Sequence, residues 1–223
     1  MEYRYERKMF IENISRKEVE IYVKNHPAFF REIFYARNIN NVYFDFIDLI
    51  NFQDNIIGNV DRLKYRIRWY GDLFTEIENA RLELKIKKGH VGTKKMFPLK
   101  NFKFCKGISG SDLIKVISNS SVDELVKLKV ESQKPVVLNR YKRTYYESLD
   151  KKFRITIDDE QMFCKINTFQ NTFLNRIIDN DNVVLELKYN KSHDLEAQSI
   201  LNKIPFRISK SSKYSRGVEL FYV

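Results

Sequence analysis

Residues 61–71 read DRLKYRIRWYG, and cationic residues alternate with apolar ones through most of this stretch. A cation occupies every second position from Arg62 to Arg68, and an apolar residue occupies each position between them. Because successive side chains of a β-strand point to opposite faces, the stretch predicts a strand with one cationic and one apolar face. This pattern restricts the fold strongly, since the apolar face must be covered while the like charges must be solvated or neutralised.

Three further stretches alternate in a related way: RLELKIKK (81–88), KFRITIDD (152–159) and VVLELKYN (183–190). Any one such strand usually has a solvated polar face in an antiparallel sheet, and that interpretation stays open. Abundant arginine, recurring carboxylates and helices between the strands favour a different arrangement. They predict an α+β fold, a closed antiparallel β-barrel with helices packed on the outside and charges inside. Anions would have to neutralise such an interior.

The other periodicities predict the remaining elements. Ser15-x-x-Glu18 and Ser121-x-x-Glu124 are capping boxes that mark helix starts. We expect strands at 4–11, 42–46, 61–70, 81–88, 94–104, 136–148, 152–159 and 183–190, and helices at 15–30, 111–129 (in two pieces) and 194–204. The tail from residue 204 closes the chain, and the whole sequence, 1–223, is interpreted as a single domain.

The net charge and the absence of membrane, secretion and zinc-binding signals narrow the range of possible functions. Lys+Arg number 40 and Asp+Glu 29, a formal net charge of +11, which indicates an anionic partner such as phosphates, nucleic acid or an acidic membrane surface. No stretch approaches the ~18 apolar residues of a transmembrane helix, and MEYRYERK lacks the apolar core of a signal sequence. Cys105 and Cys164 match no disulfide framework, so we expect reduced thiols in a cytoplasmic protein. His26, His90 and His193 match no zinc spacing, which argues against a zinc enzyme.

Eight short motifs occur in order along almost the whole chain: YERK, VYFD, RLKYRIRWYG, LELKIKK, NRYKRTYYES, FRITIDD, VLELK and SKYSRG. Together they resemble the VTC domain, the polyphosphate polymerase catalytic domain of the triphosphate tunnel metalloenzyme (CYTH-like) superfamily. RIRWYG followed by NRYKR and FRITID is the most specific combination. The resemblance implies a barrel of about eight strands that forms a tunnel. Basic residues would line it and hold triphosphate or polyphosphate, with Mn²⁺ or Mg²⁺ bound by glutamate.

The resemblance also implies roles for individual residues, carried over motif by motif. The implied catalytic residues are Arg66, Arg68, Lys85, Arg143 and Lys213. The implied phosphate-binding residues are Lys8, Lys94 or Lys95, Tyr141, Arg154 and Ser212, with the choice between the two lysines left open. The implied metal-binding residues are Glu186 and Glu6.

The implied reaction transfers the γ-phosphoryl group of ATP to a growing polyphosphate chain. Phosphoryl transfer needs positioning and charge neutralisation more than covalent help, and fixed guanidinium groups supply both. Triphosphatases of the superfamily typically begin E-x-E-x-K, whereas Arg4 replaces the first glutamate here, and Lys188 follows Glu186 where they tend to pair two glutamates. Fewer carboxylates favour the polymerase. Glu6 is retained, and it either assists a metal or a water molecule or pairs with a neighbouring arginine.

Two other functions stay open: an inorganic or nucleoside triphosphatase on the same fold, and a non-catalytic polyphosphate-binding module. A duplex-binding protein should carry its cations on a convex or helical surface, whereas here they lie on alternating strands. The resemblance implies ATP, triphosphate or polyphosphate as partners, and we expect no nucleic acid and no membrane segment in this chain.

Overall fold

Eleven strands, six α-helices and a short 3₁₀-helix (Lys191–His193) follow one another through residues 4–88 and 91–223, the part of the chain that this computed structural model describes. The strands are β1 (Arg4–Glu12), β2 (Arg31–Asp45), β3 (Asp61–Tyr70), β4 (Thr75–Ile77), β5 (Arg81–Lys88), β6 (Val91–Pro98), β7 (Phe102–Phe104), β8 (Lys134–Glu147), β9 (Phe153–Lys165), β10 (Arg176–Asp179) and β11 (Asn182–Asn190). The helices are α1 (Arg16–Lys24), α2 (Ile50–Ile57), α3 (Gly110–Ser118), α4 (Glu124–Glu131), α5 (Asp194–Leu201) and α6 (Lys213–Tyr222). None of these helices has the length and apolar character needed to cross a bilayer.

The arrangement of the strands corrects one prediction. The main sheet has nine strands in an order that begins at β10 and finishes at β8, while β4 and β7 form a separate two-stranded sheet. The predicted closed antiparallel barrel of about eight strands is therefore wrong, although the fold is mostly antiparallel sheet with helices. Alternation along one strand determines which side chains share a face. Closure depends instead on strand number, tilt and stagger, which that pattern does not encode.

The chain forms two compact units with separate cores. Unit 1 comprises the described residues of Met1–Arg37, Tyr141–Gln161 and Ile178–Ser211, and unit 2 comprises those of Asn38–Arg140, Met162–Ile177 and Ser212–Val223.

The core of unit 1 lies on the apolar face of three antiparallel strands. β11 pairs with β1 on one side and with β9 on the other, which brings Met9, Leu185 and Ile157 into one row. These side chains are buried in the same cluster as Val19 of α1 and Ala197 of α5. The two helices therefore cover the apolar face, as their amphipathic sequences predict.

The core of unit 2 is built in the same way. β3 lies between β2 and β5, β5 pairs with β6, and all of these pairs are antiparallel. Ile67 and Leu82 lie directly opposite each other and are both 0% exposed. They share a cluster with Leu113 of α3 and Val130 of α4. The predicted apolar face of residues 61–71 is confirmed.

Helix α1 is shorter than the sequence suggested. Its capping box is confirmed, because the backbone N–H of Ser15 donates to the Glu18 carboxylate at 2.9 Å and the Ser15 hydroxyl accepts from the Glu18 N–H. The helix ends at Lys24 rather than at residue 30. Pro27 follows, and a proline disfavours helical backbone at the residue before it and has no N–H to donate.

Other elements differ from the predictions as well, since β2 begins at Arg31 rather than at residue 42 and α2 was not predicted. The two-piece helix is confirmed, but the N-cap of α4 is Asp123 and not Ser121, because the Asp123 carboxylate accepts from the N–H of Val126 at 3.2 Å. The strand expected at 94–104 is divided into β6 and β7 after Pro98. A proline cannot donate to a strand ladder, which explains the break at that position.

Helix α6 occupies the tail, where no element was predicted. Ser212 is its N-cap. Tyr214 donates a hydrogen bond to the buried carboxylate of Asp45 at the end of β2. Gly217 lies so close to Val137 of β8 that a Cβ at residue 217 would come within 2.5 Å of the valine Cγ1. A glycine inside a helix is a weak helix signal, and here the close approach explains it.

We expect Gly217→Ala to lower the free energy of unfolding by about 1–3 kcal/mol, the usual cost of overpacking a core. Urea denaturation measures the change. Val137→Ala is the matched control, because it removes the atom that the new Cβ would meet. The double variant should be more stable than the sum of the two single changes predicts, and simple additivity would contradict the close contact.

Candidate functional site

The polar face of unit 2 is built by the register of β3, β5 and β6. Directly opposite residues of antiparallel strands point to the same side. Arg66 lies opposite Glu83, and Lys85 lies opposite Lys94. Lys95 instead lies opposite Leu84, on the apolar side of the sheet. The structure thus places Lys94, and not Lys95, on the face that carries Arg66 and Lys85.

Glu83 is the centre of this face. Its carboxylate accepts from Arg66 Nε at 2.8 Å and Nη2 at 2.6 Å, and from Lys94 Nζ at 3.1 Å. Arg68 Nη1 lies 3.6 Å from the same carboxylate. The Glu83 side chain is 4% exposed, whereas that of Lys94 is 41% exposed. We call these four residues the Glu83 cluster. It carries three positive charges and one negative charge.

The two arginines of the cluster are also held by neutral groups. Arg66 donates to the hydroxyl of Tyr43 at 3.1 Å, and Arg68 donates through Nε to the side-chain oxygen of Asn41 at 2.8 Å. Both acceptors are buried side chains of β2. Each guanidinium group is therefore held from two sides, by Glu83 and by an acceptor in β2.

The charges around Glu83 control its ionisation. Burial alone would raise its pKa, but the nearby Arg66, Arg68 and Lys94 outweigh burial and lower the pKa to about 2. Glu83 is therefore ionised at neutral pH, and the cluster keeps its balance of charges.

Ser212 and Lys213 lie at the start of α6, in unit 2. The Ser212 hydroxyl accepts from Lys64 Nζ at 2.9 Å, and the same amine donates to Asn55 at 2.9 Å. Lys213 is the first residue of the helix. The SKY motif thus brings a serine and a lysine near Lys64, a cation of the β3 polar face that the sequence analysis gave no role.

Unit 1 contains a second group of charges around Glu186. Lys8 lies directly opposite Glu186 in the pairing of β1 with β11, and its amine is 3.6 Å from the carboxylate. Lys188 Nζ lies at 3.3 Å and Arg143 Nη2 at 3.8 Å from the other carboxylate oxygen. The Glu186 side chain is 6% exposed. A glutamate surrounded by cations thus occurs in each unit.

Arg143 joins this group through a second carboxylate. It makes a two-point ion pair with Asp158, with Nε–Oδ1 at 2.5 Å and Nη2–Oδ2 at 2.6 Å. Burial lowers the pKa of Arg143, but Asp158, with smaller contributions from Tyr141 and Glu186, outweighs it and raises the pKa well above its usual value. The guanidinium lies 5.2 Å from the centre of the Tyr141 ring, which is nearly fully buried. We call Lys8, Arg143, Asp158, Glu186 and Lys188 the Glu186 cluster.

Two of the implied site residues lie away from these contacts. Arg154 is on the same face of β9 as Asp158, but its side chain is 55% exposed and pairs with Glu147 at 2.8 Å. Glu6 is exposed and lies opposite Lys188 in the β1–β11 pairing, one diagonal position from Glu186. The structure thus groups Lys8, Arg143, Tyr141 and Glu186, with Arg154 outside their contacts and Glu6 beside them.

Glu83 and Asp158 were missed by the sequence analysis. Glu83 belongs to the LELK motif and Asp158 to RITID, but only the lysine and the arginine of those motifs were predicted as site residues. A usable signal existed, because each carboxylate alternates in phase with cations on a strand that otherwise faces a core. Its partner could not be identified from that pattern, since pairing depends on the register between strands.

The carboxylates set limits on a metal site. Among the described residues, no group of three or more His, Cys, Asp and Glu side chains is arranged to hold a metal ion, and His90 lies outside those residues. Mg²⁺ is usually bound by one or two carboxylates together with substrate phosphates. Glu186 and its diagonal neighbour Glu6 fit this arrangement of two carboxylates, in which the phosphate supplies the other ligands.

Comparison with known proteins identifies the family of this chain. A family model for the VTC domain matches residues 3–222. The chain belongs to the VTC domain family. A comparison with curated protein sequences gave no match. The motif-based resemblance described above is confirmed.

Solved structures give a consistent fold. The PH1819 protein of Pyrococcus horikoshii OT3 aligns with a TM-score of 0.54 and 13% identity, covering 98% of this chain and 99% of that one. A Vibrio parahaemolyticus protein named for a proposed adenylate cyclase activity aligns with a TM-score of 0.53 and 10% identity, covering 95% and 97%. At these identities the likeness shows the fold alone.

Glu83 should make stability depend on pH. Because its pKa is lowered from 4.5 to about 2 in the folded protein, its ion pairs stabilise the fold fully above the unfolded pKa. That stabilisation is lost as the pH falls towards about 2. Between pH ~5 and pH ~3 the loss should be about 2 kcal/mol.

Urea denaturation at several pH values measures this loss. The slope of unfolding free energy against pH should be shallower in Glu83→Gln than in the unchanged protein over that interval. Equal slopes would show that Glu83 keeps an ordinary pKa.

Proposed function

We propose that this VTC domain is a metal-dependent polyphosphate polymerase, which transfers the γ-phosphoryl group of ATP to a polyphosphate chain. The observation that carries the proposal is the charge of the β3–β5–β6 polar face. Among the described side chains of these strands, that face has one carboxylate, Glu83, and eight cations. The cations are Arg62, Lys64, Arg66, Arg68, Arg81, Lys85, Lys87 and Lys94. The family match over residues 3–222 supports the interpretation of the chain as one VTC-like domain.

Such a face favours a linear polyanion. Cations held close together repel one another and lose hydration, so a partner with closely spaced negative charges relieves both costs. Arg66 and Arg68 present planar guanidinium groups that suit phosphate oxygens, and Lys85 and Lys94 add point charges. Triphosphate and polyphosphate have the required spacing of charges along a chain.

The ionisation of Glu83 suits phosphoryl transfer to a phosphate acceptor better than it suits hydrolysis. A terminal phosphate of the acceptor is already anionic and can attack without losing a proton, whereas a hydrolytic water must be deprotonated. A general base works best with a pKa near the operating pH, and the pKa of Glu83 is about 2. Glu83 is therefore a poor base, which supports transfer between phosphates over hydrolysis.

A divalent cation, Mn²⁺ or Mg²⁺, completes the proposal. When bound, it would neutralise charge on the phosphates being exchanged. Glu186 and Glu6 are the residues that would hold it, together with phosphate oxygens of the substrate. Because Lys8, Lys188 and Arg143 lie within 4 Å of Glu186, we expect the metal to bind together with phosphate rather than before it.

A triphosphatase is the second candidate, and Glu6 is the observation that favours it. This exposed carboxylate lies on the polar face of β1, opposite Lys188. There it is accessible to orient a water molecule.

Purified protein with ATP, Mn²⁺ and a short polyphosphate primer tests the proposal. The expected result is a ladder of lengthening polyphosphate on a gel, with ADP formed in step. Release of orthophosphate without a ladder would support the triphosphatase, and binding of tripolyphosphate without either product would support a binding module. Each of these two outcomes would overturn the polymerase.

The register of β6 gives a sharper prediction for substrate binding. Lys94→Met should weaken the binding of tripolyphosphate by roughly 10-fold, since one ion pair to phosphate is worth about 1.5–3 kcal/mol at most. Isothermal titration calorimetry measures the affinity.

Lys95→Met is the matched control. It removes the same charge from the neighbouring residue on the opposite face, and we expect its affinity to remain within about two-fold of the unchanged protein. Equal losses in the two variants would show that overall charge, and not the polar face, binds the phosphate.

A further inference from the structure

Glu83 has no assigned task in the proposed reaction, although it is among the most closely surrounded carboxylates of the site. Its side chain is 4% exposed and contacts two arginines and a lysine. A carboxylate this deeply buried is costly unless its partners are well placed. The partners are themselves cations that we expect to bind phosphate.

Glu83 is poorly suited to hold a metal or move a proton. Three cationic groups lie 2.6, 3.6 and 3.1 Å from its oxygens and occupy the space around them. Its pKa of about 2 leaves it ionised at neutral pH. What remains is its effect on the direction of the side chains that it holds.

That effect is specific for each partner. Arg66 donates two N–H groups to one oxygen of Glu83 and a third N–H to Tyr43, so the plane of its guanidinium is fixed. Lys94 donates to the other oxygen while 41% of its side chain stays exposed. Its flexible stem would otherwise carry the amine through many rotamers.

We propose that Glu83 is a positioning residue for phosphate binding. Its buried carboxylate orients Arg66, Arg68 and Lys94 as one preformed group with a net charge of +2, and this group receives one phosphate unit of the substrate. The inference rests on the proposed function, because it names how that site is organised before the triphosphate arrives. Preformed donors save the ordering cost that flexible cations would pay on binding.

The expected effect follows from the loss of such supporting contacts, which typically weakens function by about 10- to 100-fold. Glu83→Gln keeps the shape of the side chain, but its amide NH₂ replaces one of the two acceptor oxygens. Lys94 or Arg66 then loses its acceptor, and all three cations lose the opposite charge. Tripolyphosphate affinity should fall by about 10- to 100-fold even though the site becomes more positive.

Calorimetry with tripolyphosphate tests the proposal, first with the unchanged protein. If that protein does not bind tripolyphosphate, the proposed function fails, and the inference about Glu83 fails with it. If it binds, Glu83→Gln is compared with Glu78→Gln, which makes the same change of charge at an exposed residue of the same unit. We expect less than about a two-fold change for the Glu78 variant.

A double-mutant cycle separates positioning from a general effect on folding. In an Arg66→Met background, Glu83→Gln should cost much less affinity than it does alone, because the main side chain that it orients is already missing. An equally large loss in both backgrounds would show that Glu83 acts through the fold at large. An affinity in folded Glu83→Gln within two-fold of the unchanged protein, or higher, would also overturn the proposal.

Glu83→Asp covers the case in which the glutamine variant does not fold. Aspartate keeps the charge but draws it back by one methylene, so its affinity should lie between those of the unchanged protein and a variant without the carboxylate. A merely structural charge would give unchanged affinity in Glu83→Asp, and that result would overturn the positioning role.

Discussion

A carboxylate buried among cations is the interaction on which the polar face of unit 2 depends. Without Glu83, the side chains of Arg66, Arg68 and Lys94 would stand close together on adjacent strands without the carboxylate that they share. Glu83 compensates one charge and leaves the group positive. The strands can therefore pack their apolar faces into a core while the opposite face keeps a surplus of positive charge.

Unit 1 also contains carboxylates buried among cations, but its balance of positive and negative charges is different. Lys8, Arg143 and Lys188 are set against two carboxylates, Glu186 and Asp158. Its net charge is +1, compared with +2 for the Glu83 cluster. The less positive cluster contains the glutamate that we propose to bind the metal, which is reasonable because a divalent cation tolerates fewer positive neighbours.

Alternation in the sequence predicted the strands that carry these groups and the faces on which they lie. Arg66, Arg68, Lys8 and Glu186 could be named from motifs, because each belongs to a strand whose two faces differ sharply. The partners could not be named, since Glu83 meets Arg66 only through the register of β5 against β3, and no pattern within one strand encodes that register. The closed barrel was wrong for a related reason, because it too depends on how strands are arranged together. Helix α6 was missed because Gly217 weakens the helical pattern while serving a close contact with β8.

The neighbouring lysines of β6 have a consequence for errors in strand pairing. Lys94 faces Lys85 and Lys95 faces the apolar side, so a shift of β6 by one residue would exchange their faces. Lys95 would then replace Lys94 on the polar face, which would retain its charge. The same shift would bring Phe97 out of the apolar face that it shares with Leu82. The positive charge that β6 contributes to the polar face is therefore duplicated, and burial of the Phe97 ring favours the correct pairing.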